Sequence, residues 1–213
     1  MNSLDGVMVV GLTGQTGSGK TTVCKLFEEN DFAIINADDV AHNIVKPGSV
    51  CLREIADCFG TQIIRDDDSL DRKKLAQLVF NDSKKLELLD SITYPYITSE
   101  ILRMIRFNSS MGKKLILLDA PTLFESRADD FCEIIISVIS DEDIRIGRIM
   151  NRDLLTESEA RSRINSQHSE KFFIDNSDFI IKNDNDIDSL NEIVRELSDK
   201  IKKYYNDKFK DTE

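Results

Sequence analysis

The stretch Gly14-Gln15-Thr16-Gly17-Ser18-Gly19-Lys20-Thr21 limits what this chain can fold into more than any other part of it. It fits G-x-x-x-x-G-K-[ST] in full. The apolar run Val7-Met8-Val9-Val10 precedes it, and Val23, Leu26 and Phe27 behind it share one helical face. Strand, glycine loop and helix in that order are the context that gives the motif meaning. Glycines 14, 17 and 19 let successive N–H groups turn inward on a polyphosphate, and the helix N-terminus adds its partial positive charge at the same spot. Gln15, Thr16, Ser18 and Thr22 complete the cradle. Lys20 is spaced to reach the β- and γ-phosphates, and the Thr21 hydroxyl to ligate Mg2+. An ordinary glycine turn before a helix is the competing account, and the flanking elements outweigh it.

At 213 residues the chain is long enough for one compact unit with insertions. A net charge of −11 leaves no basic surplus to replace phosphate counterions, which argues against a nucleic-acid partner. It leaves anionic small substrates open, since these need only a local cationic pocket. No apolar run approaches a membrane span, and no basic segment with an apolar continuation marks a signal peptide, so a cytoplasmic enzyme is expected. Cys24, Cys51, Cys58 and Cys132 show no C-x-x-C pairing and read as small buried apolar residues of a reducing compartment. With only His42 and His168 beside them, a zinc site is not expected.

Along the chain, Asp31-Phe32-Ala33-Ile34-Ile35 reads as a short buried strand running into Asn36-Ala37-Asp38-Asp39. Ligands of open α/β sheets sit beyond the carboxyl ends of strands, so Asp38 is either a catalytic carboxylate or, with Asp39, a candidate helix N-cap. Residues 46–111 look helical, with apolar faces at Leu52, Ile55, Ala56 and Phe59, then Leu75, Leu78 and Val79, then Leu86, Leu89 and Ile92. That much helix between two strands exceeds an ordinary crossover and predicts an inserted substrate-binding subdomain. Arg72, heading Arg72-Lys73-Lys74, is either an anion contact or part of a solvated face. The continuous run Lys114–Asp119 suits a central parallel strand, and its terminal Asp119 is expected near the metal as an outer-shell acceptor or water ligand. Further strands are expected at 133–139 and 178–183, and a closing helix buries Leu190, Ile193, Val194, Leu197 and Ile201. The resulting fold class is α/β, a three-layer P-loop NTPase with a parallel five-stranded sheet. Its expected parts are a core of about 1–45, 112–140 and 177–213, the helical subdomain of about 46–111, and a helical lid of about 141–176.

The lid rests on the stretch from Asp141 to Asp153, where Arg145, Arg148 and Arg152 fall at offsets of three and four on one helical face. Either a shared anion relieves their mutual repulsion, or Glu142, Asp143 and Asp153 neutralise the stripe; opposite a phosphate loop the anion is favoured. Arg161 and Arg163 follow. Mobile cationic helices of this kind close over a transferring phosphoryl group, exclude water and stabilise its charge. Phosphate loop, helical insertion and arginine-bearing lid together describe a small-molecule kinase using ATP and Mg2+, with Asp38 orienting the acceptor hydroxyl.

At this point the chain resembles the dephospho-CoA kinases. Val9-Val10-Gly11-Leu12-Thr13-Gly14 and the loop after it look like the family's opening, and Asn36-Ala37-Asp38 like its Asp-Ala-Asp signature. Leu70-Asp71-Arg72-Lys73-Lys74-Leu75 with Val79-Phe80 is similar to its L-x-R-x-x-L…F segment, and Asp119–Glu125 to its D-x-P-L-L-F-E. Arg148–Asp153, Arg163–Gln167 and Asp178–Asn183 look like its lid and final strand. The resemblance implies phosphorylation of the ribose 3′-hydroxyl of dephospho-CoA, the last step of coenzyme A synthesis, with no obligate protein partner. It implies Asp38 as catalytic base, Arg148 and Arg152 on ATP phosphates, and Asn183 near adenine. Arg72, Arg163 and the segment Pro121, Leu123, Phe124, Glu125 fall on the acceptor side. The family pattern is broken at Asn36 (Asp), Tyr94 (His), Thr122 (Leu), and Phe172 and Phe173 (small or basic). Two alternatives stand beside this: a nucleoside monophosphate or shikimate type of kinase, and a non-catalytic nucleotide switch.

Overall fold

The computed structural model describes residues 6–79 and 82–209; Phe80, the last residue of the third matched segment, lies outside them. In chain order the elements begin with β1 (Met8–Gly14), α1 (Lys20–Glu29), β2 (Ala33–Asn36) and α2 (Ala37–Asn43). Three helices follow: α3 (Val50–Phe59), α4 (Arg72–Val79) and α5 (Ser83–Ser110). Next come β3 (Leu115–Asp119), β4 (Ile134–Ile139), α6 (Glu142–Asp153) and α7 (Glu157–Asn165). The chain closes with α8 (Glu170–Asp175), β5 (Phe179–Lys182) and α9 (Ile187–Phe209). The strands form a five-stranded sheet in the order β2-β3-β1-β4-β5. β1 runs parallel to both β3 and β4, and β4 to β5, with Leu12 opposite Asp119 and Gly14 opposite Val138. Three of the four connections between successive strands carry α-helices: α1 between β1 and β2, α2 to α5 between β2 and β3, and α6 to α8 between β4 and β5.

The chain divides into two compact units: residues 36–106, and the remainder. The helical insertion therefore begins at 36 and ends at 106, not at the expected 46 and 111, and residues 141–176 belong to the sheet unit. In that unit, alternate residues of the strands (Met8, Val10, Leu12, Leu115, Leu117, Ile134, Ile136, Val138) bury against Val23, Leu26 and Phe27 of α1 and Leu190, Val194, Leu197 and Ile201 of α9. Ile193, expected among the last group, is instead 37% exposed. α6 and α7 close on each other through Ile146, Ile149, Ala160 and Ile164, a small core of their own. Ser137 of β4 shares a hydrogen bond of 2.7 Å with Ser177.

The helical unit has a separate core of Val45, Cys51, Leu52, Ile55, Phe59, Ile63, Leu70, Leu75 and Val79. Leu86, expected on its buried stripe, is 46% exposed. α3 starts at Ser49, whose hydroxyl accepts the Leu52 N–H at 3.2 Å. Among the described residues no helix is long and apolar enough to cross a membrane. All four cysteines are free thiols; Cys51 is buried as expected, but Cys58 is exposed.

Candidate active site

The glycine loop joins β1 to α1, and its backbone explains its residues. Gly19 caps α1 with φ of 90°, a left-handed conformation that side chains resist, and a Cβ there would run into the Asn183 side-chain amide. A Cβ on Gly17 would lie 2.9 Å from the Arg145 carbonyl oxygen. Two carbonyls of the loop are held from behind. Ser18 O accepts from Asn183 Nδ2 at 2.7 Å and from Arg148 Nη1 at 3.3 Å, and Gly17 O accepts from Arg148 at 3.4 Å. Among the described residues the N–H groups of Gly17, Gly19, Lys20 and Thr21 donate to no protein acceptor. Buried Gln15 Oε1 and Ser18 Oγ have no partner there either. Orphan amides at a helix N-terminus form an anion site.

Thr16 differs from those four. Its N–H donates at 2.6 Å to Oε1 of Gln167, a residue just past α7. One amide of the loop is therefore held by a side chain from the segment after α7.

Lys20 Nζ forms an ion pair with Asp119, both side chains largely buried. The burial that surrounds the pair, with the Asp119 charge beside it, pushes the Cys24 thiol up to about 11, so Cys24 stays protonated. Asp119 thus meets the loop lysine directly. Thr21 is exposed at the start of α1. A hydroxyl, with water filling the remaining positions, suits Mg2+, a hard cation that keeps several waters.

The three arginines of α6 do not form one stripe. Arg145 is 5% exposed and donates from Nε to Ser140 O at 2.9 Å, a structural role. Arg148 donates from Nη2 to Asn183 O at 3.1 Å and reaches Ser140 Oγ at 3.4 Å. Among the described residues no carboxylate lies within ion-pair distance of it. Arg152 is exposed and bound twice to its neighbour Asp153, at 2.8 Å each, and Arg163 pairs with the same carboxylate at 2.7 Å. Arg161 is taken by Glu142, Asp143 and Glu157. Neutralisation by neighbouring acids of residues 141–176 therefore holds for Arg152, Arg161 and Arg163, and the unneutralised cation beside the loop is Arg148. Asn183, expected near adenine, is 7% exposed and spends its side chain on the loop backbone.

The segment 119–127 splits as well. Leu123, expected to face an acceptor, is fully buried and packs over Gly11, 3.0 Å from where a Cβ would sit. The Pro121 carbonyl accepts from Thr13 Oγ1 at 3.2 Å. Phe124 meets Phe172 edge to face at 5.2 Å, and Phe172 stacks on His168 at 3.8 Å. Glu125 lies 3.3 Å from His168 Nε2. The aromatic departures Phe172 and Phe173 thus tie α8 to this segment; buried Phe173 continues the cluster.

In the helical unit, Asn36 caps α2: its Oδ1 accepts the Asp39 N–H at 3.0 Å. Neither Asp38 nor Asp39 is the cap, contrary to the alternative raised for them, and the family departure at 36 has a structural use, since Asn caps as well as Asp. Asp38 stands exposed in the first turn and, among the described residues, makes no hydrogen bond or ion pair. Arg72 is exposed at the start of α4, also unpaired among the described residues; Asp71 instead draws Arg65 and Lys74.

Gln167's contact, the Ser140–Asp184 link and the His168–Glu125 pair were not anticipated. Each joins residues at least forty apart, so no local pattern announces it.

Compared with known proteins, residues 8–189 match the family model described as dephospho-CoA kinase. The dephospho-CoA kinase of Carboxydothermus hydrogenoformans is 36% identical over 194 residues, 91% of this chain and 94% of that one. That of Oryza sativa subsp. japonica is 35% identical over 189 residues, 89% of this chain and 82% of that one. Among solved structures, a dephospho-CoA kinase from Campylobacter jejuni superposes with a TM-score of 0.68 at 27% identity, covering 92% of this chain and 97% of that one. TT1252 from Thermus thermophilus shares the fold with a TM-score of 0.76 at 23% identity, over 90% and 96% of the two chains. An anion-binding glycine loop, an unneutralised arginine behind it, and family motifs running through nearly the whole chain lead to one assignment: the chain belongs to the dephospho-CoA kinase family.

Proposed function

We propose that this enzyme transfers the γ-phosphoryl group of ATP to the ribose 3′-hydroxyl of dephospho-CoA, giving coenzyme A, with the residues below in named roles. The amides of Gly17, Gly19, Lys20 and Thr21 and the Lys20 side chain hold the triphosphate, Lys20 exchanging Asp119 for phosphate oxygens. Arg148 adds a positive charge that no carboxylate cancels. Mg2+, held at Thr21 with Asp119 through water, would neutralise charge on the phosphates. Asp38 follows the carboxyl end of a sheet strand, where α/β sheets bind ligands, and is free of capping duty, which supports it as the base that orients the acceptor hydroxyl. In this reading Arg72, Phe124 and Glu125 serve the acceptor. Arg152 and Arg163 reach ligand only by releasing Asp153. The helical unit binds the acceptor, residues 141–176 act as the lid, and the reaction takes place in the cytoplasm.

The observation that carries this reading is the set of unpaired loop amides beside the unneutralised Arg148. Phosphoryl transfer needs little covalent chemistry from the protein, so positioning and positive charge are its main contributions. The test is ADP release measured with and without dephospho-CoA. Acceptor-dependent turnover is expected; ATP binding without it would favour a nucleotide switch, and turnover with shikimate or a nucleoside monophosphate another kinase.

A further inference from the structure

We infer that Asp184 and Ser140 are positioning residues that aim Arg148 at the nucleotide phosphates. Asp184 follows the end of β5, and its Oδ1 accepts two hydrogen bonds at 2.8 Å, from Ser140 Oγ and from the Asp141 N–H. Its Oδ2 pairs with Lys182 at 2.9 Å, and Lys182 also reaches Asp141 at 3.0 Å. Ser140 is fully buried where β4 turns into α6. Because its hydroxyl proton is committed to Asp184, its lone pairs are left to face Arg148 Nη1 at 3.4 Å. The polarity therefore runs in one direction, from the guanidinium to the hydroxyl to the carboxylate. The same carboxylate pins the first amide of the turn from which α6 carries Arg148.

The choice of partner has a chemical consequence. A carboxylate directly on Arg148 would cancel the charge that a phosphate is meant to meet. Ser140 and the carbonyls of Gly17, Ser18 and Asn183 orient the guanidinium through neutral oxygens, and the Asp184 charge is balanced by Lys182 instead. The arrangement fixes direction while leaving the positive charge available.

This inference rests on Arg148 acting on ATP, so the experiment separates the two. Steady-state kinetics are measured for Ser140→Ala, Asp184→Ala, Asp184→Asn and Arg148→Ala, and for Ser140→Ala and Asp184→Ala each combined with Arg148→Ala. Ser140→Ala removes only the hydroxyl and serves where Asp184→Ala folds poorly. Residues sharing one network couple by about twofold to about a hundredfold. Ser140→Ala and Asp184→Ala are expected to lower kcat/KM for ATP at least about fivefold with KM for dephospho-CoA unchanged, and by less than about twofold once Arg148 is alanine. Asp184→Asn, which keeps an acceptor at Oδ1, is expected to lose less than Asp184→Ala. Losses that multiply undiminished in the Arg148→Ala background, or no loss in the single variants, overturn the inference. An Arg148→Ala enzyme with unaltered kinetics overturns the Arg148 assignment itself.

Discussion

Replacing Gln167 with alanine removes the acceptor that holds the Thr16 N–H at 2.6 Å. A triphosphate cradled by the loop needs that N–H, so ATP has to displace Gln167 before it gains the contact. Binding is then an exchange, and its net strength falls short of the full phosphate contact by the value of the bond given up. A neutral hydrogen bond of this kind is worth about 0.5–1.5 kcal/mol net, so Gln167→Ala should tighten ATP binding by about twofold to about twelvefold. Gln167→Glu should act in the opposite direction. Its carboxylate keeps the bond to Thr16, strengthens it by charge, and repels the incoming phosphate, so affinity should fall at least about fivefold. Titration of a non-transferable ATP analogue with Mg2+, followed by calorimetry, reads both shifts. Unchanged or weaker binding in Gln167→Ala would refute the exchange and would mean that Gln167 contributes more with nucleotide bound than without it.

The remaining expectations concern the loop, the base and the strand-end carboxylate. Lys20→Ala should lower kcat by about 10²-fold or more in a protein that is folded by circular dichroism; near-normal kcat would count against the loop assignment. Asp38→Asn should lower kcat about 10²-fold or more with ATP affinity little changed, checked by ADP release and ATP titration; an enzyme at full rate removes Asp38 from the chemistry. Gly19→Ala forces a left-handed residue at a cost of about 1–2 kcal/mol and drives its methyl into the Asn183 amide, so a lower melting temperature and ATP binding weakened about tenfold or more are expected. Burial alone would raise Asp184, but the Asp141 N–H, Lys182 and Ser140 outweigh it and hold the carboxyl down at about 2. Since the folded value lies below the ordinary 3.8, the stabilisation is complete above 3.8 and fades as pH falls towards 2. Acid titration of melting temperature should therefore show the gap between the wild type and Asp184→Asn closing across that window; a constant gap contradicts it.

How much was legible depended on range. The loop motif, its strand and helix, the five strands and the helical insertion follow from spacing within a few turns of chain, where backbone geometry and apolar periodicity act locally. Local spacing failed where two local solutions were nearly equal. Asn36 took the cap offered to Asp38 and Asp39, because capping is set by the dihedrals of the preceding residue. Leu123 sits in a motif that reads as a contact surface, yet the small Gly11 beneath it opens space that only a buried side chain fills. The arginines show the limit most clearly. Helical offsets placed Arg145, Arg148 and Arg152 together, but they could not say which carboxylates would arrive from elsewhere.

By itself, then, the sequence determined a parallel α/β sheet with a phosphate loop after its first strand, and the family to which the chain belongs. The tertiary structure alone decided which charges remain available there. Arg148 meets Gly17 and Ser18 across sequence separations of 131 and 130, and Asn183 meets Ser18 across 165. Whether a cation is cancelled or left open depends on what the fold brings within about 4 Å, a distance over which Coulomb attraction is decisive and along which local periodicity carries no information.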